Sequence, residues 1–205
     1  MFFLIWGFKV RFKVLGSGTF FCPRCGGDRP FERRQAKRWF HLYYIPLIPA
    51  SVLGEQIRCG VCQTSYTQDV LNRPTSGQLS ALLIDAARGT VVHVLRTGST
   101  ESPAARAAAV HEIGKVGLPG YADENLSADL DVVPGDLSQL YAALGSQLAD
   151  TGKESLLGAA ARVALADGPL TDLERQVLVS TGASLGMTAT HTAGVISVAE
   201  QAARA

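Results

Sequence analysis

From Thr75 onward the apolar residues recur with the period of an α-helix. Leu156, Leu157, Ala160, Val163 and Ala164 form a stripe at i, i+1, i+4, i+7 and i+8, and Leu173, Val177, Leu178 and Leu185 form a second. Helix start signals precede several segments: Ser102-Pro103, Asp136, Thr171 with Glu174, and Thr188. The pattern predicts helices near 77–96, 103–116, 136–150, 153–166, 171–185 and 188–203. The acidic stretch 119–135 reads as the main irregular connection, with room for a short turn of helix within it. A faint repeat runs through this region. His93 to Gly98 matches Val163 to Gly168 at an offset of 70, and Val116-Gly117-Leu118 matches Leu185-Gly186-Met187 at 69. Each half then reads as helix, glycine turn, helix, glycine turn, a pair of hairpins that bury a shared core.

The first 72 residues are patterned differently. Their two clean apolar runs, Met1 to Gly7 and Leu42 to Pro49, are far shorter than the ~20 residues of a spanning helix, and Pro46 and Pro49 interrupt the second. Basic residues follow the first run instead of preceding it, which disfavours a secretory signal and leads us to expect a cytoplasmic protein. The formal net charge of +1 conceals a division. Residues 1–73 carry eleven Lys and Arg against four Asp and Glu, a net +7; the remainder carries eight against fourteen, a net −6. The first part is also rich in aromatic residues and arginine, the second in Ala, Leu and Val. Two domains are expected, 1–72 and 79–205, joined by a Pro- and Gly-containing linker at 73–78. Their opposite charges suit docking of the two bodies or head-to-tail homodimers.

All four cysteines lie in the first domain, as Cys22-Pro23-Arg24-Cys25 and Cys59-Gly60-Val61-Cys62, with 33 residues between the pairs. Two-residue spacing lets each pair curl into a knuckle that aims both sulfurs at one point, and two knuckles complete the tetrahedral thiolate shell that zinc prefers. Two disulfides would need an oxidising compartment, and two matched pairs exceed what a redox motif requires. With all four positions filled by protein, the metal is expected to be structural. Gly26 follows the first pair where a left-handed backbone is wanted, whereas Gln63 follows the second. The 33-residue insert must hold hairpin strands of its own. Arg33, Arg34, Lys37 and Arg38, interleaved with Phe31, Trp39, Phe40, Tyr43 and Tyr44, mark a candidate nucleic-acid surface, a protein or anionic-membrane contact, or else a solvated basic face over an aromatic core. Arg24 and Arg29 are placed to offset the 2− charge of a zinc tetrathiolate.

The run Met1-Phe2-Phe3-Leu4-Ile5-Trp6-Gly7, then CPRCG, then Arg38-Trp39-Phe40-His41 leading into Ile45-Pro46-Leu47-Ile48-Pro49, then CGVC, resembles a family of bacterial zinc-ribbon proteins over about residues 1–70. The resemblance implies a zinc-binding module with Cys22, Cys25, Cys59 and Cys62 as ligands.

In the second domain the sequence VALADGPLTDLE (163–174) contains the second half of an EF-hand loop, but Val163 and Leu165 stand where its first acidic ligands belong. Asp167 and Glu174 remain candidates for one divalent cation, Ca2+ or Mg2+. A capping box at Thr171 and Glu174, with Gly168 closing the preceding helix, explains most of the same residues. The phrase, with the Leu185-Gly186-Met187 turn and a final amphipathic helix, resembles the TerB-like tellurite-resistance family over about 78–203. That resemblance implies an all-helical domain of two related halves, acidic residues at its turns, and a role in tellurite or general stress resistance. In the first half Thr97-Gly98 and Ala104 replace the acidic pattern, so the counterpart site should be empty.

No catalytic constellation appears. His111-Glu112 lacks the second histidine of a zinc-protease helix, and Gly16-Ser17-Gly18 lacks the lysine of a phosphate loop and reads as a turn. The expectation is a non-enzymatic zinc-ribbon and TerB-like scaffold that binds protein partners, with nucleic-acid binding as the alternative.

Overall fold

The computed structural model describes residues 6–42 and 45–204, so residues 1–5, Tyr43, Tyr44 and Ala205 fall outside the described residues. The chain forms two compact units, Met1–Gln78 and Leu79–Ala205.

The first unit is an antiparallel sheet of β1 (Trp6–Cys22), β2 (Gly27–Leu42), β3 (Ile45–Cys59) and the short β4 (Ser65–Tyr66), in that spatial order. At about 3.3 Å per residue the three long strands make a ribbon roughly 50 Å in length. The insert between the cysteine pairs is thus a long hairpin. Gly16-Ser17-Gly18 is not a turn: it lies within β1, where the register slips between Val14, opposite Arg34, and Gly16, opposite Arg33. Gly18 serves packing instead, because a Cβ there would sit 3.0 Å from the Phe31 ring.

That bulge organises the whole unit. Successive strand residues point to opposite faces, so one inserted residue swaps the face of every even-numbered position beyond it. Toward the cysteines, Phe20, Cys22, Ile57 and Cys59 share one face and, with Val70 from the 3-10 turn Gln68–Asn72, form the buried core. Phe20 meets the edges of Phe31 and Tyr66 at ring-centroid distances of 5.5 and 5.9 Å. Away from the cysteines, Phe8, Val10, Phe12 and Val14 lie on the other face and are exposed.

The second unit is helical: α1 (Ser76–Thr97), α2 (Pro103–Lys115), α3 (Asp123–Val132), α4 (Ser138–Gly145), α5 (Asp150–Ala164), α6 (Asp172–Ser184) and α7 (Ala189–Arg204). The start signals act locally as expected. Ser102 Oγ accepts the Ala105 N–H, Asp136 accepts the Ser138 N–H at 2.9 Å, and Thr188 Oγ1 accepts the His191 N–H. α1 and α5 run through the core. Ala86, Ala87 and Val94 join Leu156, Leu157, Ala160, Ala161 and Ala164 in one cluster, while Val91, Val92, Leu95 and Val163 form a second with Ala109, Ile113 and Leu126.

Three expectations for this unit need correction. The 119–135 connection holds α3, ten residues long. Its sequence is polar, but Leu126 is fully buried, and Asp129 is buried against the Arg88 guanidinium and the Tyr121 hydroxyl. The helix near 136–150 stops at Gly145, where a Cβ would lie 2.6 Å from the Leu185 carbonyl oxygen. The stripe assigned to α6 begins one residue too early: Leu173 is 63% exposed, and the inward positions are Glu174, Leu178, Thr181 and Leu185.

The repeat survives in local geometry. α2 and α6 are each 13 residues long and start 69 positions apart, and the residues that follow them, Val116 and Leu185, share a backbone conformation (φ −81°, ψ 0° and φ −77°, ψ −1°). Gly117 and Gly186 come next, both at positive φ. Among the described residues, no helix is long and apolar enough to cross a membrane.

Candidate metal centre

The four sulfurs converge. Ligand atoms of Cys22, Cys25, Cys59 and Cys62 lie within 4.8 Å of one another, the one such group of His, Cys, Asp or Glu among the described residues. The Cys22 and Cys62 sulfurs, one from each pair, are 3.7 Å apart. A tetrahedron with metal–sulfur bonds of about 2.3 Å has edges of about 3.8 Å. All four cysteines are unpaired by disulfide, with Cys22 and Cys59 buried and the other two half-buried.

The two knuckles are built alike. Gly26 N–H donates to the Cys22 carbonyl at 2.9 Å, and Gln63 N–H donates to the Cys59 carbonyl at 3.1 Å. The fourth residue after each first cysteine must therefore turn left-handed. Gly26 does so at φ 66°, and Gln63 does so at φ 60°, the one non-glycine residue at positive φ among those described. The glutamine that breaks the sequence symmetry thus adopts the glycine conformation, at a cost of about 1–2 kcal/mol. Its side chain returns a hydrogen bond to the Gly60 carbonyl at 2.9 Å. The second knuckle is also fastened to the sheet, since Gly60 N–H donates to the Pro30 carbonyl and Cys59 N–H to that of Thr64. Val61 N–H points at the Cys59 sulfur from 3.4 Å, a donor suited to a thiolate.

Neighbouring groups pull the thiols apart in acidity. Hydrogen bonds from the Thr64 side chain and backbone bring Cys62 down to about 6. Burial, with the adjoining thiols of Cys22, Cys62 and Cys59, pushes Cys25 up to about 11. Burial also raises Cys22, but hydrogen bonds from Tyr66, Cys59 and nearby backbone outweigh it and hold that thiol below the ordinary range. The Tyr66 hydroxyl, 3.5 Å from the Cys22 sulfur, is itself pushed up to about 12, first by that hydrogen bond. Sulfurs this close cannot all ionise unaided; a cation among them removes the conflict. Thr64 and Tyr66 escaped the sequence reading, although both fall within four residues of Cys62.

Arg24 and Arg29 find oxygen partners: Arg24 donates to Thr64 Oγ1 at 2.9 Å and Arg29 to the Asp28 carbonyl at 3.0 Å. Arg33, Arg34, Lys37 and Arg38 do not form one surface. Strand alternation puts Arg34 and Arg38 on one face of β2 and Arg33 and Lys37 on the other. Arg33 pairs with Glu55 at 2.6 Å, Arg34 with Glu32, and Arg38 stacks 4.2 Å over the Phe8 ring. His41 lies in β2, as a strand residue should.

In the helical unit Glu174 is 4% exposed and closes the capping box of α6. Its Oε2 accepts the Thr171 N–H and hydroxyl, each at 2.8 Å, and a Cβ on Gly98 would lie 2.2 Å from its Oε1. Capping accounts for these bonds. Asp167 is exposed at the end of the 3-10 turn Leu165–Asp167. Two polar groups that the periodicity did not single out occupy the interior: Glu112, held by Arg162 at 2.7 Å and Lys115 at 3.0 Å, and Asp129, described above. A groove of about 630 Å³ between α5 and α7 contains His191, whose Nε2 is 2.6 Å from Glu154 Oε1. Comparison of the chain with protein-family models, with curated proteins and with solved structures finds no match.

Proposed function

We propose that the four thiolates hold one structural zinc ion and that the chain is a non-enzymatic scaffold, its helical domain binding protein partners in a bacterial stress response. The observation that carries this reading is the convergence of four cysteine sulfurs from two matched knuckles. An all-thiolate set favours zinc over calcium or magnesium, which take oxygen ligands. Four protein ligands fill a tetrahedral shell, so no coordination position is left for water or substrate, as structural zinc requires and catalytic zinc does not tolerate. The stress-response assignment rests on the resemblance of residues 78–203 to the TerB-like family, to which the paired helix and glycine-turn pattern lends support.

Elemental analysis of protein purified without added metal tests the proposal. One zinc per chain, with four thiols that react with a disulfide reagent only after chelation, is the expected result. Metal-free protein with four freely reactive thiols would overturn it. A second cation lost on Asp167→Asn substitution would add a site at the α6 turn, and zinc alone would leave that turn to capping.

A further inference from the structure

At the end of the ribbon away from the cysteines, no described residue of the same unit buries the sheet face that carries β1's apolar row. Phe8, Val10, Phe12 and Val14 recur at every second position of β1 and are each about half exposed (47, 47, 51 and 51%). Across the sheet Phe40 stands opposite Phe8, and Ile48, 61% exposed, stands opposite Phe40. Phe8 and Phe40 meet edge to face, with ring centroids 5.6 Å apart. These residues make one continuous apolar face, of a kind that soluble proteins expose where something binds. The residues between them on β1 are Lys9, Arg11 and Lys13, which project to the opposite face. Residues 6–14 and 36–54 together contain five Lys or Arg, the others being Lys37 and Arg38, and no Asp or Glu.

From this pairing of an apolar face with an uninterrupted basic charge we infer that the distal ribbon docks on the surface of an anionic lipid bilayer. Phenylalanine, valine and isoleucine enter the interfacial layer, and the long Lys and Arg side chains reach the headgroups around the sheet's edge. Arg38, stacked on Phe8 and paired with Val10 across the sheet, carries a charge on the apolar face itself. The alternatives fit the chemistry less well. A second copy packed on the same face would bury Arg38 at the junction, and residues 6–14 and 36–54 of either copy offer no carboxylate to answer it. Nucleic acid would satisfy the basic residues but leave Val10, Val14 and Ile48 without partners, since bases stack on aromatic and not on aliphatic side chains.

The test is flotation of the 205-residue, metal-replete chain with vesicles of phosphatidylcholine alone or with about 30% phosphatidylglycerol, at about 50 and 300 mM salt. Binding to the anionic vesicles that weakens at high salt is expected. Phe8→Ser with Phe12→Ser, which keeps the charge, should weaken it about tenfold or more. Lys9→Gln, Arg11→Gln and Lys13→Gln should each cost about fivefold. Both sets of positions are exposed, and unchanged metal content and circular dichroism confirm that the variants fold. Absence of anionic-vesicle binding at the lower salt would overturn the inference. So would vesicle binding indifferent to the phenylalanine substitutions, tighter binding to duplex or single-stranded nucleic acid that they leave intact, or self-association without lipid that they abolish.

Discussion

The two units of this chain hold themselves together by different means. Among the described residues of the ribbon unit the buried hydrophobic cluster is five residues, two of them cysteines, gathered at one end of a sheet whose other end exposes Phe8, Val10, Phe12 and Val14. In the helical unit two clusters line α1 and α5, and the buried carboxylates Glu112 and Asp129 are matched by arginine partners. A small core cannot supply the stability of an independent domain, and a metal can, because a structural zinc site contributes roughly 10–16 kcal/mol of apparent binding free energy. The difference shows where a fold's specification resides: in four sulfurs on one side of the linker, and in a distributed apolar pattern on the other.

Breaking the thiolate shell has the largest expected effect. Cys59→Ser removes a buried ligand from the second knuckle, and the ribbon unit should unfold at 25 °C while far-UV circular dichroism retains the helical signal. Leu157→Ala, at a fully buried position in α5, attacks the other unit. It should cost about 2–5 kcal/mol in the helical melting transition and leave metal content unchanged.

Smaller still is the loss from Arg162→Met, about 1–3 kcal/mol, since it strips Glu112 of one partner. The pair also sets a pH dependence. Burial raises the Glu112 carboxyl, but hydrogen bonds from Arg162 and Lys115 more than offset this and hold it below the ordinary carboxylate range; Asp129 is depressed by Arg88 in the same way. A carboxyl depressed on folding gives stability that is full above its unfolded value, near 4, and is lost as pH falls through the folded one. Melting of the helical unit between pH 6 and pH 2 should therefore show a decline that is shallower in Arg162→Met. The smallest change sharpens the comparison instead of breaking it. Gln63→Gly relieves the left-handed glutamine and should stabilise the metal-loaded ribbon by up to about 1 kcal/mol, read as a higher temperature of metal release.

How much of this was legible in the sequence follows the same division. The cysteine spacing announced the convergence of the four sulfurs because knuckle geometry is local: four residues determine where two sulfurs point. The knuckle after Cys59 looked defective only because Gln63 was read by residue type, while its φ of 60° is imposed by the hydrogen bond to the Cys59 carbonyl. Helices with apolar stripes were visible for the converse reason, their periodicity being summed over many turns. What the pattern hid were polar groups whose burial depends on partners distant in sequence. α3 was missed because Asp129 counts as a surface residue until Arg88, 41 positions earlier, is brought beside it. The capping bond of Glu174 was legible because Thr171 is only three positions away, but its burial was not, and Leu173 beside it looked like core. The bulge at Val14 and Gly16 had no strong local signal either, yet it decides that one stretch of β1 is interior and the next is exposed.

On the proposed reading the ribbon unit stands or falls with a metal held by the four sulfurs at its closed end. Hydrogen exchange on the intact chain, before and after a strong chelator, tests that most directly. We predict that amides of Phe20 to Cys22 and Ile57 to Cys59 are protected in the metal-loaded protein and exchange at unfolded rates once it is removed, while those of α5 are unaffected. Protection of the ribbon that persists with all four thiols free of metal would contradict it.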